Sequence, residues 1–261
     1  MIAFEDVTDL VSAQRMAAWG DVARRIAHEI KNPLTPIRLS AERIKRKFSP
    51  KVGEESDQLE NMTDVIVRQT DELRRIVDEF SQFARMPEPD RRPTDFGELL
   101  KGAILLQESG QPNVIFKLNL PNEKLWIDAD SSMIGRAITN LLKNSGESIE
   151  EALKKSPKIN GEIRVVASQT DRSVVLTVVD NGTGLPEDRS RLLEPYVTNR
   201  QSGTGLGLSI VVKTIEEHGG TFSLSNAEPF GDGAMPGAQA VIKLPKLKQT
   251  TAQNVALGKT T

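Results

Sequence analysis

Two amides, one carboxylate and a run of glycines carry chemistry in the second half of this 261-residue chain. Asn140 and Asn144 stand four residues apart in a segment with helical apolar spacing, so both amides leave one helix face. Amide oxygens are hard ligands, suited to a Mg2+ ion that keeps several waters and shares phosphate oxygens. Asp180 is the first polar residue after the apolar run 174–179. A carboxylate there can accept a hydrogen bond from an exocyclic amino group such as that of adenine, while Gly182 and Gly184 let backbone approach the ligand. Gly203-Thr204-Gly205-Leu206-Gly207 opens a further apolar segment, and the N–H groups at a helix start form a phosphate cradle. This loop is neither a dinucleotide fingerprint nor a P-loop, since GxGxG replaces GxGxxG and no Gly-Lys-Ser/Thr follows. Each stretch alone also reads blandly, as a polar helix face, a hairpin turn or a glycine-rich loop.

The first half holds a different reactive group. His28, one of two histidines, sits in Arg24-Arg25-Ile26-Ala27-His28-Glu29-Ile30-Lys31-Asn32-Pro33-Leu34. With Met16, Ala23, Ile30, Ile37 and Ile44 at heptad position a, Trp19, Ile26, Pro33 and Ser40 fall at d and His28 at f. An f-position histidine points at water, with Asn32 one turn further on the same face. On its own this is a surface histidine on a helix.

The elements that position these groups follow from periodicity. A long helix is expected from about residue 10 to 48, with Pro33 and Pro36 forming a bend beside the histidine turn; two separate helices are the alternative. After a break at 49–53, Leu59, Met62, Ile66, Gln69, Leu73, Ile76, Phe80 and Phe83 form a second seam. Two such helices make an antiparallel hairpin over 11–87, too small to bury both seams, so a second copy completing a four-helix bundle is expected. Residues 1–10 read as the last strand of a preceding domain, and the proline-rich 88–93 as a linker. Over 94–246 the pattern is mixed: helices at 95–108, at 130–153 and near 204–218, with strands at 114–120, 124–127, 161–168, 174–179, 221–224 and 240–244. That is an α+β sandwich, one sheet covered on one side by helices. The charged stretch 186–202 has the build of a lid, and 247–261 of a disordered tail.

Composition narrows the partners. A net charge of −2 gives no reason to expect nucleic acid, and 4% aromatics argue against base stacking. The absence of cysteine excludes thiol chemistry. No apolar run has the length of a membrane helix, so the chain itself is expected to be cytoplasmic.

The ordered set HEIKNPL, NLLKN, DNGTGLP and GTGLGL resembles the H, N, G1 and G2 boxes of two-component sensor histidine kinases. FSQFARMP at 80–87 looks like the end of that family's dimerisation hairpin, and LLEPY at 192–196 occupies its F-box place, with tyrosine and leucine for phenylalanines. AWGDVARRIAHEIKNPLTPIRLSAERI is similar to the NtrY-like branch, linked to nitrogen regulation and to NtrX-type response regulators. The resemblance implies a HisKA hairpin followed by an ATP-binding domain of the Bergerat (GHKL) type, with residues 1–10 as the tail of a PAS domain. It implies the cytosolic part of a larger, inner-membrane sensor.

It also implies roles. His28 is the phosphoacceptor, Glu29 orients or deprotonates it, and Asn32 positions water for dephosphorylating the partner. Asn144, assisted by Asn140, holds Mg2+; Asp180 reads adenine, with Gly182 and Gly184 shaping that wall. Gly203, Thr204, Gly205, Leu206 and Gly207 cradle the phosphates of ATP. Arg200, at the end of the lid, is the candidate for charge stabilisation at the γ-phosphate. Glu147 departs from the family, where a basic residue is common. The implied activity is autophosphorylation on His28, with transfer to, and removal from, a response-regulator aspartate. A GHKL-type ATPase is the alternative, but that class needs a glutamate where Asn140 stands, and an amide is a poor base. A nucleotide-binding dimeric adaptor is a third reading.

Overall fold

The structure is a computed structural model that describes residues 8–84, 88–156, 160–189, 191–195, 197–198, 203–231 and 236–247, with backbone alone for 8–24 and 82–84. It divides into two compact units, Met1–Pro87 and Glu88–Thr261.

The first unit is a helical hairpin. Helix α1 spans Thr8–Phe48, two short 3-10 turns follow at Ser49–Lys51 and Gly53–Glu55, and α2 spans Ser56–Ala84. The strand expected over 1–10 is overturned where it can be seen: residues 8–10 are helical, and Thr-Asp is a pair of helix-starting residue types. Residues 1–7 lie outside the described part. Helix α1 runs unbroken through Pro33 and Pro36, so the two-helix alternative falls. Those prolines lack the N–H groups that would bond the carbonyls of Glu29 and Asn32.

Ion pairs set the antiparallel register. Lys31 pairs with Asp78, Arg38 with Asp71 at 3.9 Å and Lys45 with Asp64 at 2.8 Å, advancing by one heptad on α1 and retreating by one on α2. The line buried within the hairpin is Ala27, Leu34 and Ala41 on α1, with Thr63, Thr70 and Val77 on α2. Within one chain the buried line lies one residue beyond d, and the seam at a and d, expected to need a second copy, is left open. Alanine lets helix backbones approach closely, and the two threonines bury by bonding their hydroxyls to the carbonyls of Leu59 and Ile66. The branched residues read as the seam stay open, Ile37 at 46% exposure among them, together with Ile30, Ile44, Ile66, Leu73 and Ile76.

The second unit is β1 (Arg92–Asp95), α3 (Phe96–Gly110), β2 (Val114–Asn119), β3 (Trp126–Ala129), α4 (Ser131–Lys155), β4 (Gly161–Gln169), β5 (Ser173–Asp180), α5 (Gly207–Glu217), β6 (Thr221–Asn226) and β7 (Ala238–Pro245). The main sheet has the order β2-β4-β5-β7-β6, with β2 and β4 parallel and the other neighbours antiparallel. Two expectations change. Arg92 and Pro93, assigned to the linker, form β1, and β3 pairs with β1 as a separate ribbon instead of joining the single sheet. Proline tolerates this position because an edge strand need not donate from every residue.

Helix starts are fixed chemically: Asp95 accepts from the Gly97 N–H, and Asp130 from those of Ser132 and Met133. One core joins α3, α4 and α5 to the inner face of the sheet, through Leu100, Ile138, Leu142, Val165, Leu176, Val211 and Ile242 among others. Strand alternation decides which side chains face that core. Along β5 every second residue is buried, Val174, Leu176, Val178 and then Asp180. A carboxylate thus ends a row of aliphatic side chains. Leu247, placed in the tail by its sequence, is still tied down, its N–H bonding the Trp126 carbonyl at 3.0 Å.

Candidate active site

Three elements of the second unit bring the sequence-identified residues together: the middle of α4, the loop after β5 and the start of α5. Asn140 and Asn144 are half-buried on α4. A Cβ placed on Gly207, the first residue of α5, would stand 3.5 Å from Asn144 Nδ2 and 3.7 Å from its Oδ1. The candidate metal-binding amide therefore lies directly against the helix start that would receive phosphates.

Asp180 is 3% exposed. Its Oδ1 accepts the N–H of Gly182 at 3.0 Å and that of Ala238 at 3.3 Å. The loop it anchors is packed so closely that glycine is required. A Cβ on Gly182 would come within 2.3 Å of Ser148 Oγ, and one on Gly184, at φ +72°, within 2.5 Å of the Pro236 carbonyl oxygen. Asn181 points the other way, accepting from the Glu162 N–H at 2.8 Å and donating to the Asn160 carbonyl at 2.8 Å. It splices the loop to β4, leaving Asp180 to face inward.

The glycine-rich loop also has the geometry of an anion site. Gly205 takes φ +69°, Leu206 is buried as an anchor, and Thr204 Oγ1 accepts the Leu206 N–H at 3.3 Å. Helix α5 has no side-chain cap and no acidic residue in its first turn. Its first N–H groups and dipole are therefore directed at whatever anion arrives. Gly203 is exposed at the mouth of the loop.

Some expected residues are not brought in. Arg200 and Tyr196 lie outside the described residues, as does part of the stretch read as a lid. Glu147 forms an ion pair with Lys143 at 3.9 Å. His218 is a packing residue: buried, its Nδ1 bonds the Thr214 carbonyl at 2.7 Å and its Nε2 accepts the Asp130 N–H at 3.0 Å, which fixes the tautomer. The sequence reading missed Ser148 and Asn226. Ser148 Oγ accepts the Thr183 N–H at 3.0 Å, and Asn226 Oδ1 accepts the Leu185 N–H at 3.2 Å. Ser148 could have been found, because it continues the row of Asn140 and Asn144 by another helical turn.

In the hairpin unit, His28, Glu29 and Asn32 are all exposed on α1. Ala27 beside them is buried, so the turn is anchored on one side and open on the other. Among the described residues, no helix is long and apolar enough to cross a membrane.

The comparisons with known proteins match these two units in order. Residues 18–89 match the His Kinase A (phospho-acceptor) domain, HisKA, and 129–248 match HATPase_c, the histidine kinase-, DNA gyrase B- and HSP90-like ATPase domain. The nitrogen regulation protein NtrY of Azorhizobium caulinodans is 47% identical over 257 residues, 98% of this chain and 33% of that protein. The chain thus spans about a third of the length of the curated relative. Among solved structures, the histidine kinase ThkA in complex with the response regulator TrrA is 26% identical with a TM-score of 0.59, covering 93% of this chain and 68% of that one. Full-length ShkA in complex with AMPPNP shares the fold, with a TM-score of 0.65 at 21% identity over 87% of this chain and 46% of that one. With a hairpin that matches HisKA, a second domain that matches HATPase_c and NtrY similarity along nearly its whole length, the chain belongs to the sensor histidine kinases, in their NtrY-like group.

Proposed function

We propose that this chain catalyses ATP-dependent phosphorylation of its own His28 and passes the phosphoryl group to a response-regulator aspartate. The observation that carries the reading is the convergence of Asn144, Asp180 and the start of α5 on one side of the second unit, in a chain that also exposes a histidine on a helical hairpin. Asp180 accepts the exocyclic amino group of adenine, with Gly182 and Gly184 admitting the base. Gly203, Thr204, Gly205, Leu206 and Gly207 receive the phosphates on backbone N–H groups. The residues fit a Mg2+ ion: Asn144, with Asn140, would offer it amide oxygens beside that cradle, with phosphate oxygens and water as the other donors. When bound, the ion neutralises charge developing on the phosphates.

The His28 imidazole attacks the γ-phosphorus through an unprotonated ring nitrogen; the N–P bond forms, the bond to the bridging oxygen breaks and ADP leaves. Glu29 orients the ring and draws off its remaining proton. The phosphoryl group then moves to an aspartate oxygen of a receiver domain, regenerating the imidazole. Asn32, one turn from His28, holds the water that hydrolyses the aspartyl phosphate in the reverse role. Arg200 supplies charge at the γ-phosphate.

The open apolar row of Ile30, Ile37, Ile44, Ile66 and Leu73 supports a homodimer, two hairpins closing a four-helix bundle. The regulator is of the NtrX type, and the parent protein is an inner-membrane sensor whose cytosolic part this is. Phosphotransfer profiling against a panel of receiver domains tests the assignment. Rapid, preferential transfer to an NtrX-type receiver is expected, and an absence of transfer to any receiver from the phosphorylated chain would overturn it.

A further inference from the structure

We propose that Ser148 is a positioning residue that fixes the base-recognition loop to the metal-side helix, so that base and phosphates are gripped in register. The inference rests on the nucleotide reading above and deepens it. Ser148 lies on α4, one turn beyond Asn144, and is 5% exposed. Its Oγ accepts the Thr183 N–H at 3.0 Å and stands 3.3 Å from Thr183 Oγ1. In the residue before, the space a Cβ would need on Gly182 is filled by Ser148, with Oγ at 2.3 Å and Cβ at 2.8 Å. The Gly182 N–H donates to Asp180 Oδ1. Two consecutive amides of the loop are thus fixed from opposite sides, Gly182 by the buried carboxylate and Thr183 by α4.

The arrangement joins the two halves of a nucleotide site. Adenine is read from β5 and its loop, whereas the phosphates and Mg2+ are read from α5 and Asn144. Those groups belong to different elements, and the Ser148–Thr183 bond is a direct polar tie between the loop and the helix that carries Asn144. Losing it leaves the Thr183 amide without its acceptor and the loop free to drift, which weakens a ligand that must engage both halves. A ligand made of phosphates alone does not register the loss.

Ser148→Ala is a clean probe, because alanine keeps the Cβ that packs on Gly182 and removes only the hydroxyl, with its contacts to the Thr183 N–H and Oγ1. In the full chain, the Kd for Mg·ATP is expected to rise about tenfold, the effect of leaving one half-buried amide unpaired. The Kd for Mg·tripolyphosphate should stay within about twofold, and autophosphorylation at saturating ATP should match the wild type, so that KM moves and kcat does not. If Ser148→Ala does not fold, Ser148→Cys, which preserves volume but offers a weak acceptor, is judged by the same two titrations. An unchanged ATP affinity overturns the proposal. Equal weakening of ATP and tripolyphosphate also overturns it, since that signals general damage to α4. Failure of the wild type to bind either ligand instead removes the nucleotide reading beneath it.

Discussion

Asn144 lies against Gly207, so the amide that would hold the metal and the first residue of the phosphate-binding helix share one small space. The separation, 3.5 Å from a Cβ placed on the glycine, is ordinary van der Waals contact. Gly207→Ala should therefore bind Mg·ATP nearly as the wild type does. Gly207→Val adds branched bulk at that point and should weaken Mg·ATP by at least about tenfold, a shift of about 1.4 kcal/mol. Calorimetric titration of the two variants checks the contrast.

Asp180 is committed to the Gly182 and Ala238 amides through one carboxylate oxygen. Asparagine can keep an oxygen in that place, but it presents an N–H2 group where the carboxylate offered an acceptor. Asp180→Asn should therefore lose affinity for ATP by at least about tenfold while GTP, which carries a carbonyl at the corresponding ring position, changes little. The ATP-to-GTP ratio of Kd values measures it.

The two apolar rows of the hairpin separate folding from association. Leu34 is 8% exposed within one chain, so Leu34→Asp should collapse the hairpin, with loss of helical circular dichroism at physiological temperature. Ile37 is open in the single chain, and Ile37→Asp should leave helicity largely intact while converting a dimer to a monomer in sedimentation. Removing the Lys45 side chain, whose ion pair with Asp64 is exposed, should leave the denaturation midpoint nearly unchanged.

Sequence periodicity located the helices, and the apolar run 174–179 located β5, but which of its residues face the core is shown only by the structure. Asn144, Asp180 and the glycines were legible as candidates from residue type and local place: an amide four residues from another on one helix face, a carboxylate after a strand, and glycines in the turn after it and before a helix. The buried line of the hairpin was not, since Ala27 and Ala41 carry too little apolar signal to compete with the isoleucines beside them. Pro93 hid β1, as proline reads as a linker until its partner strand is known. Ser148 continues the row of Asn140 and Asn144 by one helical turn, but the partner that gives it a role, Thr183, is 35 residues away and could not be read from spacing.

Glu162 gives a pH dependence. Burial pushes its carboxyl up, but hydrogen bonds from Lys117 and Arg164, each at 2.6 Å, outweigh that and hold it below the usual carboxylate range. A carboxyl lowered in the folded state adds stability above its unfolded value, and loses it as the pH falls through its folded value. Chemical denaturation at a series of pH values should show a shallower acid-side loss for Glu162→Gln than for the wild type.

Incubation of the full chain with γ-labelled ATP and Mg2+, followed by acid and base treatment, bears most directly on the kinase reading. Label that is stable to base, released by acid, mapped to His28 and abolished in His28→Gln with ATP binding unchanged is the expected result. Label persisting in His28→Gln, or rapid ATP turnover with no phosphoprotein in the wild type, would contradict it.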